Sequence, residues 1–194
     1  EQSGQLQAHM VIDLFGGNPD APNEYDRNGD GVIQAILFKG EQGHQDAETR
    51  TTEVLRSFEK TGWKVELLGM EIANWNRDEA YSKAGSLLAA WKPALELVLS
   101  NNDDMALGAM EAVKARNLTG IAIIGFDALP EALAQVRDGG LTATIEQFPG
   151  QQSALGVQTL VAFLKDGTKP AEQVHLITPV AVTKDNLNIA ERLG

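Results

Sequence analysis

Strand-like and helix-like segments alternate along this chain at intervals of roughly thirty residues, and that alternation constrains the fold more than any other feature. Apolar runs at 32–38, 64–69, 94–99, 121–125, 141–145 and 174–182 read as strands. Helical spacing follows most of them. One helix runs to about residue 60, with Val54, Leu55 and Phe58 inward. A second runs to about residue 91, with Tyr81, Leu87, Leu88 and Trp91 as core contacts. Others cover 104–116, the stretch after Pro130, and 150–165. A leading helix over 3–15 carries Leu6, Met10, Val11, Leu14 and Phe15, and Gly16, Gly17 and Pro19 end it. Asp185 reads as the cap of a last short helix. Repeated βαβ units of this kind build an α/β fold, a parallel sheet flanked by helices on both faces.

Such sheets take their ligands beyond the carboxyl ends of the strands. The residues at those ends are unusually polar: His44, Asp46 and Arg50; Trp75 and Asn76; Asn101, Asn102 and Asp103; Asp127; and Gln147. They combine acceptors, mixed donor–acceptors, a guanidinium fork and an aromatic face. That set suits a neutral polyol, whose hydroxyls each donate and accept and whose ring has an apolar side. Asn101 or Asp103 reads as a helix cap, leaving Asn102 for the site. Trp63 and Trp91 read as packing residues. His9, His44 and His175 fall on separate elements, no nucleophile–base motif occurs, and no Gly-rich phosphate loop follows the first strand. An α/β enzyme is thus the weaker reading.

Composition narrows the classes further. A net charge of −11 with no basic cluster argues against a nucleic-acid surface. The absence of cysteine excludes thiol chemistry, disulfides and cysteine-based zinc sites. The 194 residues hold no apolar run near the roughly 20 residues a membrane-spanning helix needs.

Residues 26–34 read Asp-Arg-Asn-Gly-Asp-Gly-Val-Ile-Gln and place oxygens at Asp26, Asn28, Asp30 and Gln34, with a backbone carbonyl at Val32. These are the first nine positions of an EF-hand calcium loop, with Gly31 where the chain must turn. The closing bidentate glutamate is missing, since Leu37 stands in its place, and the chain continues from the loop as a strand. The loop is therefore either a Ca2+ site completed from elsewhere or an Asp/Asn/Gly turn entering a strand. Glu96, interrupting an apolar strand, is a candidate for the missing carboxylate; otherwise it is an edge glutamate facing water.

Three stretches carry a resemblance. They are Phe-Lys-Gly-Glu-Gln-Gly-His44-Gln-Asp46-Ala-Glu-Thr-Arg50-Thr, Leu-Ser-Asn-Asn102-Asp-Asp-Met-Ala-Leu-Gly, and Gly-Phe-Asp127-Ala-Leu-Pro-Glu-Ala-Leu. Together with Lys184-Asp-Asn-Leu187 they closely resemble the bacterial galactose/glucose-binding proteins, periplasmic binding proteins of the ribose/galactose group. The resemblance implies the type I periplasmic binding fold: two Rossmann-like α/β lobes around a sugar-filled cleft. It implies a structural calcium site completed by Glu96, and sugar contacts at His44, Asp46, Arg50, Trp75, Asn102 and Asp127. The next sugar position, Asn in the galactose proteins, is Gln147 here, and Thr-Ile-Glu-Gln-Phe-Pro looks more like the ribose-binding proteins.

By the same resemblance, residues 1–146 form a C-terminal-type lobe with the calcium loop. Residues 147–181 belong, in the family, to an N-terminal lobe otherwise absent here, and 182–194 return. The apolar face of the 150–165 helix (Leu155, Leu160, Phe163, Leu164) then needs another cover, by dimerisation or repacking. The implied role is non-catalytic monosaccharide binding for an ABC transporter permease, with a chemoreceptor as a further partner. The implied location is periplasmic, with no signal peptide in this chain. The alternative is the effector domain of a LacI-type transcription regulator, which shares the fold; the calcium loop with Glu96 speaks against it.

Overall fold

The computed structural model describes residues 2–18, 20–21, 23–91 and 94–192. Pro19, expected from the sequence to help stop the first helix, lies outside them. Helix α1 (Gln2–Leu14) precedes β1 (Val32–Lys39), α2 (Gln45–Thr61), β2 (Lys64–Ile72) and α3 (Arg77–Trp91). Then come β3 (Leu97–Ser100), α4 (Asp103–Lys114), β4 (Ala122–Ile124), α5 (Pro130–Asp138), β5 (Ala143–Glu146), α6 (Pro149–Asp166) and β6 (Val180–Thr183). The six strands form one sheet in the order β2-β1-β3-β4-β5-β6, parallel except for β6, which runs antiparallel to β5.

Period-two alternation builds both cores. Ile33, Ala35 and Leu37 of β1, with Leu97, Leu99, Ala122, Ile124, Ala143 and Ile145, face α1 and α2. Ile36, Phe38, Val98 and Ile123 face α3, α4 and α5. The helix ends agree with their sequences. Acids Asp46 and Glu48 open α2 and Lys60 closes it before left-handed Gly62, which matches the helix dipole. Pro130 opens α5 and Gly139 follows its end. The strand order reverses direction between β1 and β3, which leaves a crevice at their carboxyl ends.

Several expectations are corrected. Tyr81 and Trp91 are not core contacts; they are 42% and 41% exposed. Helix α3 instead presents Ala80, Ala84 and Leu88, because α4 approaches so closely that a Cβ at Gly108 would meet the Arg77 carbonyl. The strand expected over 174–182 is only Val180–Thr183, where β5 offers a partner; Val174 and Leu176 stay exposed. A 3-10 turn over Leu187–Ile189, preceded by Asn186, replaces the short helix expected after Asp185.

Glu96 precedes β3 and sits in the middle of the sheet, its backbone bonded to Gln34 O and from Ala122 N, so it is not an edge residue facing water. Helix α6 has no buried residue, and Leu160, Phe163 and Leu164 are exposed, so no repacking covers them among the described residues.

Candidate ligand site and the 26–34 loop

The carboxyl ends of β1, β3, β4 and β5 bring Arg50, Asn101, Asn102, Asp127 and Gln147 together, with Trp75 from the loop after β2. Arg50 is at the centre and largely buried. Its Nη1 donates to Asn101 O at 2.6 Å and its Nη2 to Gln147 Oε1 at 3.3 Å. Nη1 also lies 3.8 Å from Asp127 Oδ1. The guanidinium lies 3.7 Å from the centre of the Phe126 ring and 5.9 Å from that of Trp75. A planar fork held over the Phe126 ring keeps its charge in place while leaving edges for hydrogen bonding. Burial pulls the Arg50 pKa down, opposed by the charges of Asp127, Asp46 and Asp103.

Gln147 joins the set by donating from Nε2 to Asp127 Oδ1 at 2.8 Å. Asn102 both caps α4, accepting from Met105 N at 3.0 Å, and donates to Trp75 O at 3.3 Å. The cap of α4 is thus Asn102, not Asn101 or Asp103. Asn101 joins elements instead. Its Oδ1 accepts from Gly40 N and from Thr51 Oγ1, both at 3.2 Å, which ties β3 to the loop after β1 and to α2.

His44 is the N-cap of α2. Its Nδ1 accepts from Asp46 N at 3.2 Å, which leaves the proton on Nε2. The imidazole stands edge-on to Trp75, centroids 5.2 Å apart. His44 and Asp46 are both exposed. Gly40 sits against the face of the Trp75 indole so closely that a Cβ there would overlap the ring.

Backbone strain gathers at the same place. Among the described residues, six non-glycine residues have positive φ; Asn74, Trp75, Asp127, Ala128 and Phe148 lie just past strand ends, and Asn117 follows α4. Each such residue costs on the order of 1–3 kcal/mol and persists only where surrounding contacts hold it.

Asp127 and Asp103 are shifted strongly. Burial pushes the Asp127 carboxyl up to about 6, with Arg50 as the main opposing charge. Burial pushes Asp103 up to about 7, opposed by hydrogen bonds from Thr144 and Leu129 N. Both hold protons in the folded chain across a range where the unfolded chain has lost them. Stability should therefore rise as pH falls from about 7 to about 5, on the order of 2 kcal/mol. Acids with lowered pKa, such as Glu48 and Glu131, begin below this window, since their ordinary value is 4.5. Melting curves in excess chelator check this: Asp103→Asn should remove the larger share of the gain, about two-thirds, and a parent melting temperature that is flat or falls across that range would refute it.

At the opposite end of β1, the 26–34 loop folds around its own carboxylates. Asp26 accepts from Gly29 N at 2.7 Å and Gly31 N at 2.9 Å. Asp30 Oδ1 accepts from Val32 N at 2.8 Å, and its Oδ2 from Asn28 Nδ2 and Gln34 Nε2, both at 2.9 Å. Glu96 reaches this loop from sixty-odd residues away. It accepts from Arg27 N at 2.5 Å and Gln34 N at 3.3 Å. Glu96 is fully buried, and burial raises its pKa, with the Asp26 charge adding to the rise. Among the described residues, no three acidic or imidazole side chains converge as a metal cluster by themselves. Any cation here relies equally on the amide oxygens of Asn28 and Gln34 and the Val32 carbonyl.

The sequence pointed to the strand-end residues but missed their supports. Lys39, buried at the end of β1, pairs with Glu48 at 2.7 Å; Glu48 also accepts from Gly43 N at 2.9 Å, which pins the loop that carries His44. Thr51 and Thr144 gave no signal, since a threonine in a helix or strand reads like a valine of the same shape.

Known proteins share this fold. The profile of the periplasmic binding protein domain matches residues 1–169. The D-galactose/methyl-galactoside binding periplasmic protein of Haemophilus influenzae is 36% identical over 195 aligned residues, which cover 96% of this chain and 57% of that protein. The xylitol-binding protein of Mycolicibacterium smegmatis is 32% identical over 188 residues, covering 97% of this chain and 49% of the other. The crystal structure of the Caulobacter myo-inositol binding protein with myo-inositol superposes with a TM-score of 0.83 at 29% identity, covering 99% of this chain and 60% of that one. The chain therefore spans about half to three-fifths of the length of these relatives. With a profile match over residues 1–169 and relatives 36% and 32% identical over nearly the whole chain, the chain belongs to the periplasmic binding protein domain family.

Proposed function

We propose that this chain is one wall of a non-catalytic binding site for a monosaccharide or a similar cyclic polyol, in an extracytoplasmic receptor that delivers its ligand to an ABC uptake system. The observation that carries it is the Arg50 fork, held over Phe126 and aimed at Asp127, Gln147 and Asn101, with the Trp75 ring beside it. Charge-assisted bonds to hydroxyls from Arg50 and Asp127, and an aromatic face for the C–H side of a ring, are the chemistry such a ligand needs. The relatives named above bind galactose, xylitol and myo-inositol by their descriptions, and all three are neutral and polyhydroxylated. A chemoreceptor is a second partner on this reading. Residues 1–146 and 182–194 then make one lobe, and α6 with the segment after it crosses to a second, whose contacts cover Leu160, Phe163 and Leu164.

The 26–34 loop suits Ca2+. Asp26, Asn28, Asp30, Val32 O, Gln34 and Glu96 would hold it, all hard oxygen donors. For that, Asn28 and Gln34 turn their amide oxygens inward, an exchange that leaves their shape unchanged. The ion would supply charge neutralisation where Glu96 is buried beside Asp26.

Isothermal titration with galactose, glucose, ribose and myo-inositol tests the sugar reading. A saturable heat with at least one, at micromolar to millimolar dissociation constant, is expected, since one wall leaves the ligand partly wet. No heat from any of the four at millimolar concentrations would sink it.

A further inference from the structure

The Asp127 carboxylate reaches the site only because the chain makes an unusual turn behind it. Asp127 N still pairs with Ile145 O at 2.9 Å, as a continuation of β4. The next two φ angles, 116° at Asp127 and 52° at Ala128, then swing the backbone into α5. Neither residue is glycine, so the turn needs outside support. Two buried side chains supply it. Thr144, on the face of β5 turned toward α4 and α5, accepts from Ala128 N at 3.2 Å through Oγ1. The same hydroxyl donates to Asp103 Oδ1 at 2.7 Å. Asp103 Oδ2 accepts from Leu129 N at 2.8 Å. Gly125 clears the space, since a Cβ there would overlap Oδ1 of Asp103. Asp103 and Thr144 are both fully buried, and neither faces the ligand surface.

We infer that Asp103 and Thr144 are positioning residues: they brace the strained 126–129 turn and so fix the Asp127 carboxylate for its ligand. The ligand consequence rests on the sugar-site reading, whereas the brace itself does not. Thr144 carries both links, so removing its hydroxyl while keeping its shape separates the brace from the packing.

The test compares Thr144→Val with Thr144→Ser by hydrogen exchange of the ligand-free chain and by sugar titration. T144V should speed exchange of the Ala128 and Leu129 amides at least about tenfold, relative to amides in β1, and weaken sugar binding by about tenfold, as the loss of a buried hydrogen bond does. T144S keeps the hydroxyl and should restore both. Asp103→Asn, which puts one donor where two acceptors stood, should give an intermediate effect at the same two amides, and it decides the matter if T144V does not fold. Ala128 and Leu129 amides as protected in T144V as in the parent would overturn the brace. Faster exchange with unchanged sugar affinity would overturn its positioning role. If the parent chain binds none of the sugars, the sugar reading fails, and the exchange comparison alone settles the brace.

Discussion

Calcium in excess over chelator is expected to raise the melting temperature by about 10 °C, and Glu96→Gln is expected to remove most of that rise. The reasoning is mass action. The folded loop gathers oxygens from residues 26–34 and from Glu96, whereas the unfolded chain keeps them far apart, so an ion held there would bind mainly the folded state. At about a thousand times its dissociation constant, a ligand of this kind adds about 4 kcal/mol. For a chain of this size each kcal/mol moves the midpoint by about 2–4 °C. Glu96 is the sensitive position because it is buried and shared, holding Arg27 N and Gln34 N at once. In chelator, E96Q should melt close to the parent. It relieves the burial of a charge and loses the weaker bond to Gln34 N, and the two effects oppose each other. An identical parent curve with calcium and with chelator would remove the metal from the account and leave the loop as a turn.

The second large effect falls on Arg50. Arg50→Ala leaves the Asn101 carbonyl and the Asp127 carboxylate without their main partner in a poorly hydrated place. Breaking a buried pair from one side costs on the order of 3 kcal/mol, so a fall of about 10 °C in melting temperature is expected. Binding should suffer more than stability. On the proposed sugar reading the fork would supply charge-assisted bonds, and its loss should weaken sugar binding by about thirtyfold or more. Arg50→Lys separates the two roles. An ammonium keeps the charge near Asp127 but cannot lie flat on Phe126 or bond Asn101 and Gln147 together, so it should recover part of the stability and little of the affinity. Sugar affinity within about twofold of the parent in R50A, measured by titration, would place the ligand elsewhere.

The gathering of these polar residues at one end of the sheet is legible in the sequence. His44, Arg50, Trp75, Asn102, Asp127 and Gln147 all follow strands, and in a parallel sheet strand ends converge by construction. The individual duties were less legible. Asn101 and Asn102 are neighbours with the same side chain, yet one ties three elements together and the other caps α4 and bonds Trp75 O. Backbone direction after β3 makes that choice, and no one-dimensional pattern carries it. Tyr81 and Trp91 are exposed, against the helical spacing, for a related reason. Helical spacing says which residues share a face, but the close approach of α4 at Gly108 decides that the alanine face is the buried one.

The sequence by itself determined the fold class, the sheet that underlies it, the loop of oxygen donors at 26–34 and the set of polar residues at strand ends. Periodicity and turn chemistry are local, and a chain writes them within a few residues. Only the tertiary structure decided between the two readings of Glu96, placing it in mid-sheet against that loop, and showed that Asp103 and Thr144 meet behind Asp127. It also decided that Arg50 is clamped over Phe126. Those pairings join residues tens of positions apart, and their strength comes from burial, which exists only once the sheet and helices have closed around them.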